Sequence, residues 1–434
     1  MRTAMQRLGL GLVAACLLVA AQTTRAGDAK PVTGRADAVI EWDELMQATV
    51  SQVPDPVVQV RSAAIMHVAV FEAVNAITGD YEPYLGSVRA PRRASPEAAA
   101  IAAAHRVLAT LHPDQVESLD AHREASLAAV PDGPAKEAGI VVGEAAALAV
   151  LAKRANDGLD NNPPYTPGNA PGQYRATPPD FTPAFRPGFG QVKTFAIKSA
   201  VQFRVPPPPA LRSSRYTRDY EEVKRVGDVV STDRPRDRAD VARFYAVNDA
   251  AQIYFPAARQ ASLAQGKTLA ENARIFALLG MAIFDVGVAC FESKYFYDYW
   301  RPVTAIRLGD SDGNRKTDAD AGWTNFVPTP PFPSYPSGHA SLGGAAQRVL
   351  ERMFGPDGHR ITLASAQIPD VVLHYTSWKQ IIADVNDARV YGGVHYRFDQ
   401  EEGNRQGKRV AKYVLRHVLR PVHHHRSSSR GRAT

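Results

Sequence analysis

From Ile275 to Phe291 the chain is apolar almost all the way round a helix, and no other feature constrains the fold as much. A helix with one apolar stripe can lie on a surface, whereas one that is apolar on every side has to be surrounded. The run falls short of the roughly 20 residues that a bilayer needs. Asp285 lies near its centre, with Gly280 and Gly287 close by. The segment Leu269 to Tyr297 therefore reads as a buried core helix with other helices packed around it.

The rest of the pattern agrees. Apolar residues recur at intervals of three and four from Arg61 to Ile77, Pro96 to Leu111, Pro113 to Val130, Lys136 to Asn156 and Tyr216 to Val226. The same holds for Ala239 to Tyr254, Ser337 to Phe354, Ser377 to Arg389 and Gln400 to Leu419. Good helix formers dominate these windows. Strand-like alternation is scarce, with Thr194 to Val205 the one candidate short strand. Asn161 to Pro209 and Pro328 to Pro336 are long Pro-rich connections, of the kind that carry function or wrap a surface. The expected class is all-α, built of helical bundles. Arg61 to Glu72 echoes the rhythm of Arg274 to Asp285. Shared amphipathic periodicity is the simpler account of that echo, duplication the richer one.

Residues 1–26 read as a signal peptide. Arg2 and Arg7 precede an apolar stretch from Leu8 to Ala21, and Thr24-Arg25-Ala26 offers small residues for cleavage before Gly27. A periplasmic or secreted protein with no membrane span after cleavage is expected. Residues 27–235 then form an N-terminal helical region, 236–420 a C-terminal helical region, and 421–434 a basic disordered tail. Cleavage removes Cys16 and leaves Cys290 as the one thiol, so no intrachain disulfide can form. The formal charge of +7 rests largely on Arg2, Arg7 and Arg25 in the leader and Arg426, Arg430 and Arg432 in the tail. The folded body is near neutral, and nothing in it argues for nucleic-acid binding.

Three short segments in the last third carry chemistry. Lys294 is followed after six residues by Arg301-Pro302. Pro336-Ser337-Gly338-His339 leads from a Pro-rich loop into a helix. Arg389 is followed after five residues by His395, and after three more by Asp399. A helix start presents unpaired N–H groups at a positive dipole end, where an oxoanion docks readily, and Gly338 permits close approach. Arginine forks match paired oxyanion oxygens, and lysine adds a point charge. One histidine can bond a central atom while the other moves protons. Taken singly, each of these residues is more often a cap, a surface ion pair or a structural histidine. Their order and spacing together point to a held tetrahedral oxoanion. The acidic turn holding Asp310, Asp312, Asn314, Asp318 and Asp320 lacks the glycine position of a calcium loop and reads as solvated.

The chain resembles the superfamily that joins type-2 phosphatidic acid phosphatases, bacterial class A acid phosphatases and vanadium-dependent haloperoxidases. The match covers Lys294, Arg301, Ser337, Gly338, His339, Arg389, His395 and Asp399. Ala388 departs from it, because the pattern has serine before this arginine. Tyr299-Trp300-Arg301-Pro302, the run from Pro331 to Ala340, and Gly393 to Asp399 are most similar to the haloperoxidase branch.

That resemblance implies a helical bundle of the acid phosphatase/haloperoxidase type with vanadate as cofactor. His395 would bond vanadium. Lys294, Arg301, Ser337, Gly338 and Arg389 would hold its oxygens, and His339 would serve as acid–base. Asp399 would orient His395 as a supporting carboxylate. Trp300 and Phe332 would border the halide pocket, with Phe332 pointing to a chloroperoxidase-like preference. Hydrogen peroxide and halide would be the reactants and hypohalous acid the product. The alternative is a secreted phosphomonoesterase that needs no cofactor, in which His395 forms a phosphohistidine and His339 protonates the leaving alcohol. Oligomeric state is open.

Overall fold

The computed structural model describes residues 36–422, so the expected leader and Cys16, and residues 423–434 of the expected tail, lie outside the described residues. Its helices are α1 (Ala38–Val50), α2 (Pro56–Thr78), α3 (Pro96–Leu111), α4 (Val116–Ala128), α5 (Pro134–Arg154), α6 (Ser214–Val226) and α7 (Arg236–Val247). They continue with α8 (Ala250–Gln265), α9 (Leu269–Tyr297), α10 (Pro302–Arg307), α11 (Gly338–Phe354), α12 (Trp378–Tyr391) and α13 (Arg397–His417). One antiparallel hairpin, β1 (Asp357–Ala364) and β2 (Val372–Ser377), separates α11 from α12. The fold is all-α apart from that hairpin.

The apolar run occupies the centre as its composition demands. Helix α9 packs against α2 on one side and against α11 and α13 on another. By length and composition both α2 and α9 could cross a membrane, yet 89% and 94% of their apolar windows are buried within the protein. Local chemistry sets the ends of α9. Thr268 and Glu271 form a reciprocal capping box at its start, and Asp298 ends it in the left-handed region at φ 50°. Lys294 thereby sits in the last turn of a buried helix. One apolar core runs from Ala38 to Leu419 and draws on both expected halves of the chain.

Several expectations are corrected. The window Ala239 to Tyr254 is two helices, because Asn248 takes an extended conformation and Asp249 starts α8 with a capping box to Gln252. Thr194 to Val205 is not a strand. The N–H groups of Phe195, Ala196 and Ile197 go instead to the carboxylate of Asp285, at 2.6, 2.7 and 2.9 Å. A buried carboxylate with three donors replaces a partner strand, and burial pushes its pKa up to about 6. Helix α1 and the hairpin were not anticipated, although His359, Ile361 and Leu363 alternate inward along β1. Of the residues assigned to the tail, Pro421 pairs with Tyr81 and Val422 N–H donates to Asp80 at 3.0 Å. The acidic turn is held by its own hydrogen bonds, including Thr317 Oγ1 to Asp312 at 2.8 Å. No cluster of three metal-ligating side chains occurs among the described residues.

Candidate active site

The three chemistry-bearing segments meet at one place. Lys294, Arg301, Arg389 and His395 are between 0 and 2% exposed there. Each cation is held by backbone oxygens rather than by a carboxylate. Lys294 Nζ donates to the carbonyls of Pro333 and Ser334 at 2.7 and 2.9 Å. Arg301 donates to the carbonyls of Phe332 and Val394 at 2.7 and 2.8 Å. Arg389 Nη1 donates to the carbonyl of Tyr245 at 3.1 Å, near the C-terminal end of α7.

The third segment turns sharply between Arg389 and His395. Gly393 adopts φ 79°, and a Cβ there would lie 2.4 Å from the carbonyl oxygen of Gly227. Only glycine fits both that conformation and that approach. His395 precedes α13 rather than lying on its face. Asp399, in the first turn, reaches back so that Oδ2 accepts from Tyr396 N–H at 3.3 Å and pairs with His395 Nδ1 at 2.7 Å. Helix-start geometry thus sets a carboxylate against the His395 ring.

Ser337 caps α11, its hydroxyl accepting from Ala340 N–H at 3.4 Å, and its own N–H donates to the carbonyl of Asp399 at 3.0 Å. Gly338 opens the helix beside Lys294. A Cβ built there meets only Lys294 Cε, at 4.0 Å. His339 stands at the mouth with 23% of its side chain exposed, and Asp249 Oδ1 lies 3.9 Å from its Nε2. Ala388 is buried in the main apolar core.

Electrostatics sets this cluster apart from ordinary ion pairs. Burial pulls Arg301 and Arg389 down to about 10, and Arg301 adds to the effect on Arg389. Lys294 is lowered by burial and by both arginines, while Asp399 is raised by burial against the pull of Ser334 and the cations. His339 and His395 are pushed well below the usual histidine range, by burial first and then by these three cations. Arg301 Nη2 and Arg389 Nε are buried without a hydrogen-bond partner. Buried cations that repel one another and leave donors unmatched need an anion. A tetrahedral oxoanion such as vanadate or phosphate fits that donor set.

The two expected halide-pocket residues part company. Phe332 lies with its ring centroid 4.9 Å from Lys294 Nζ and 4.8 Å from the Arg301 guanidinium, at the edge of a cavity of about 80 Å3. Trp300 is fully buried in a separate aromatic cluster with Tyr216, Tyr299 and Tyr396, and does not line that cavity. The cavity wall also includes Val57 and Val60 from α2, and Phe185 and Phe189 from the long Pro-rich connection. The N-terminal region thus walls the approach. These residues are apolar members of ordinary patterns and carried no signal in the sequence. Asp249 was also missed, and its start position on α8 is the one cue it offered.

Residues 274–424 match the family described as the VCPO second helical-bundle domain. Over 176 residues the chain is 29% identical to the vanadium chloroperoxidase of Curvularia inaequalis, a match that covers 30% of this chain and 28% of that relative. The chain thus spans less than a third of that protein's length in the match. A solved bacterial vanadium-dependent iodoperoxidase superposes with a TM-score of 0.75 at 24% identity, over 89% of this chain and 96% of that one. A bacterial vanadium-dependent chloroperoxidase superposes with a TM-score of 0.66 at 19% identity, over 89% and 93%. These two likenesses concern the fold. The segment that holds all three cations and both histidines is thus similar in sequence to vanadium haloperoxidases, and the chain shares its fold with two bacterial ones.

Proposed function

We propose that this protein is a vanadate-dependent haloperoxidase-like enzyme that uses hydrogen peroxide to oxidise halide to hypohalous acid. The observation that carries the reading is the buried cluster of Lys294, Arg301 and Arg389 around His395, with guanidinium donors left unmatched. Vanadate, when bound, supplies a Lewis-acidic centre that makes peroxide an oxygen-atom donor without a change in the metal's oxidation state. The chain's own residues do the rest. Lys294, Arg301, Arg389, Ser337 and the Gly338 N–H hold the oxoanion and draw charge from it. His395 would offer Nε2, which lies 3.0 Å from Arg301 Nη1, with Nδ1 committed to Asp399. His339, kept neutral by burial and the nearby cations, is ready to take a proton at the mouth. Asp249 stands beside it to steady the charge that results. Phe332 keeps water off the cations.

The test uses one purified sample in two parts. One part is loaded with orthovanadate and given hydrogen peroxide with chloride, bromide or iodide, while a halogen-accepting dye is followed. The other is kept free of vanadate and given p-nitrophenyl phosphate. Vanadate-dependent halogenation with negligible phosphate release is expected. Brisk phosphate release that vanadate inhibits, with no halogenation, would overturn the reading in favour of a phosphomonoesterase acting through His395.

A further inference from the structure

Ser334 lies three residues ahead of Ser337, and none of the roles above falls on it. Its side chain is fully buried. Its backbone is tied on both sides: the N–H donates to the carbonyl of Tyr299 at 2.8 Å, and the carbonyl accepts from Lys294 Nζ at 2.9 Å. Its hydroxyl donates to Asp399 Oδ2 at 2.6 Å and lies 3.3 Å from His395 Nδ1. One serine therefore touches a cation, the carboxylate and the imidazole.

The state of that imidazole follows from its neighbours. Arginine can only donate hydrogen bonds. Arg301 Nη1 lies 3.0 Å from His395 Nε2, so Nε2 has to be the accepting nitrogen and the ring proton sits on Nδ1. Nδ1 in turn donates to Asp399 Oδ2. All the donors that reach this carboxylate converge on Oδ2, while Oδ1 is buried without a partner. The orientation of the carboxylate therefore depends on how well Oδ2 is held, and the hydroxyl of Ser334 makes the shortest of those bonds.

We propose that Ser334 is a positioning residue. It pins Asp399 so that His395 keeps its proton on Nδ1 and holds Nε2 unprotonated among the cations of the oxoanion site. The proposal rests on the oxoanion-site reading above and names the group that supports it. The bland alternative is a buried hydroxyl that merely satisfies itself.

The experiment compares wild type, Ser334→Ala and Ser334→Thr, each labelled with [15N]histidine. The ring nitrogen signals of His395 are read at a pH above the ordinary histidine range and assigned by their loss in His395→Gln. Orthovanadate binding is measured on the same proteins by titration calorimetry. Ser334→Ala is expected to move the His395 signals away from the Nδ1–H form and to weaken orthovanadate binding about 10-fold. Ser334→Thr, which keeps the hydroxyl, is expected to restore both. Unchanged His395 signals in Ser334→Ala would overturn the proposal. So would equal loss of binding in both variants with the signals intact, because that pattern marks packing alone. A wild type that takes up no orthovanadate would refute the oxoanion reading, while the nitrogen signals would still decide the role of Ser334.

Discussion

Helices α2 and α9 are built alike and end differently. Both are long, apolar and buried against each other. Each carries an arginine early in the repeated rhythm, Arg61 or Arg274, and an acid eleven residues later, Glu72 or Asp285. The two acids do the same work. Glu72 accepts the N–H groups of Tyr84 and Leu85, and Asp285 those of Phe195, Ala196 and Ile197. Each buried carboxylate fastens an irregular connection to the bundle. Each helix stops at a left-handed residue, Gly79 at φ 72° and Asp298 at φ 50°. Only α9 places a lysine in its last turn and leads into Arg301. The helical pattern recurs; the chemistry belongs to the end of α9, and α2 walls the approach with Val57 and Val60.

The comparison separates residues that serve the site from residues that serve the frame, and substitutions should split the same way. The largest expected effect is at His395. His395→Ala should abolish turnover in either assay, and full activity in that variant would remove the site assignment. Lys294→Met comes next, with orthovanadate affinity falling by at least about 100-fold by calorimetry, as expected where a charge-assisted bond worth roughly 3 kcal/mol is lost. Asp399→Ala should leave measurable turnover, reduced about 10- to 100-fold, since it acts through His395.

The frame residues should behave oppositely. Asp285→Ala and Glu72→Ala should each lower unfolding free energy by about 3 kcal/mol in urea titrations, because buried N–H donors are left unpaired. If either variant lost orthovanadate affinity as severely as Lys294→Met, the division between frame and site would fail. The smallest effect is on pH. His339 and His395 have folded pKa values below the usual 6.5, so as pH falls through that value the unfolded chain takes up protons that the folded protein refuses. Stability should therefore decline as pH drops below about 6.5. Inorganic phosphate or orthovanadate should flatten that decline by neutralising the cations that repel the imidazolium. Melting temperatures across this range, with and without the anion, measure it; a slope of the opposite sign would contradict the buried-cation picture.

Helix placement was legible because amphipathic periodicity is local. Pro96–Leu111 and Leu269–Tyr297 coincide with the windows read from the sequence. The window across Asn248 failed because a cap at Asp249 overrides good periodicity on both sides. The strand expected near Phe195 failed because its partner is a side chain 90 positions away. The oxoanion residues were legible as well, since three spaced segments of cations and histidines rarely coincide.

By itself the sequence determined that a wholly apolar helix must be surrounded, that a Pro-rich loop opens into a helix at Ser337, and which eight residues match the motif of the resemblance. Those follow from local hydrophobicity, capping and motif spacing. Only the tertiary structure decided that Phe332 covers the cations while Trp300 turns away, that Asp249 faces His339, and that Ser334 grips Asp399. Such contacts join residues far apart in the chain. Packing selects them by burying groups that must then find partners, and no short-range pattern encodes which partner arrives.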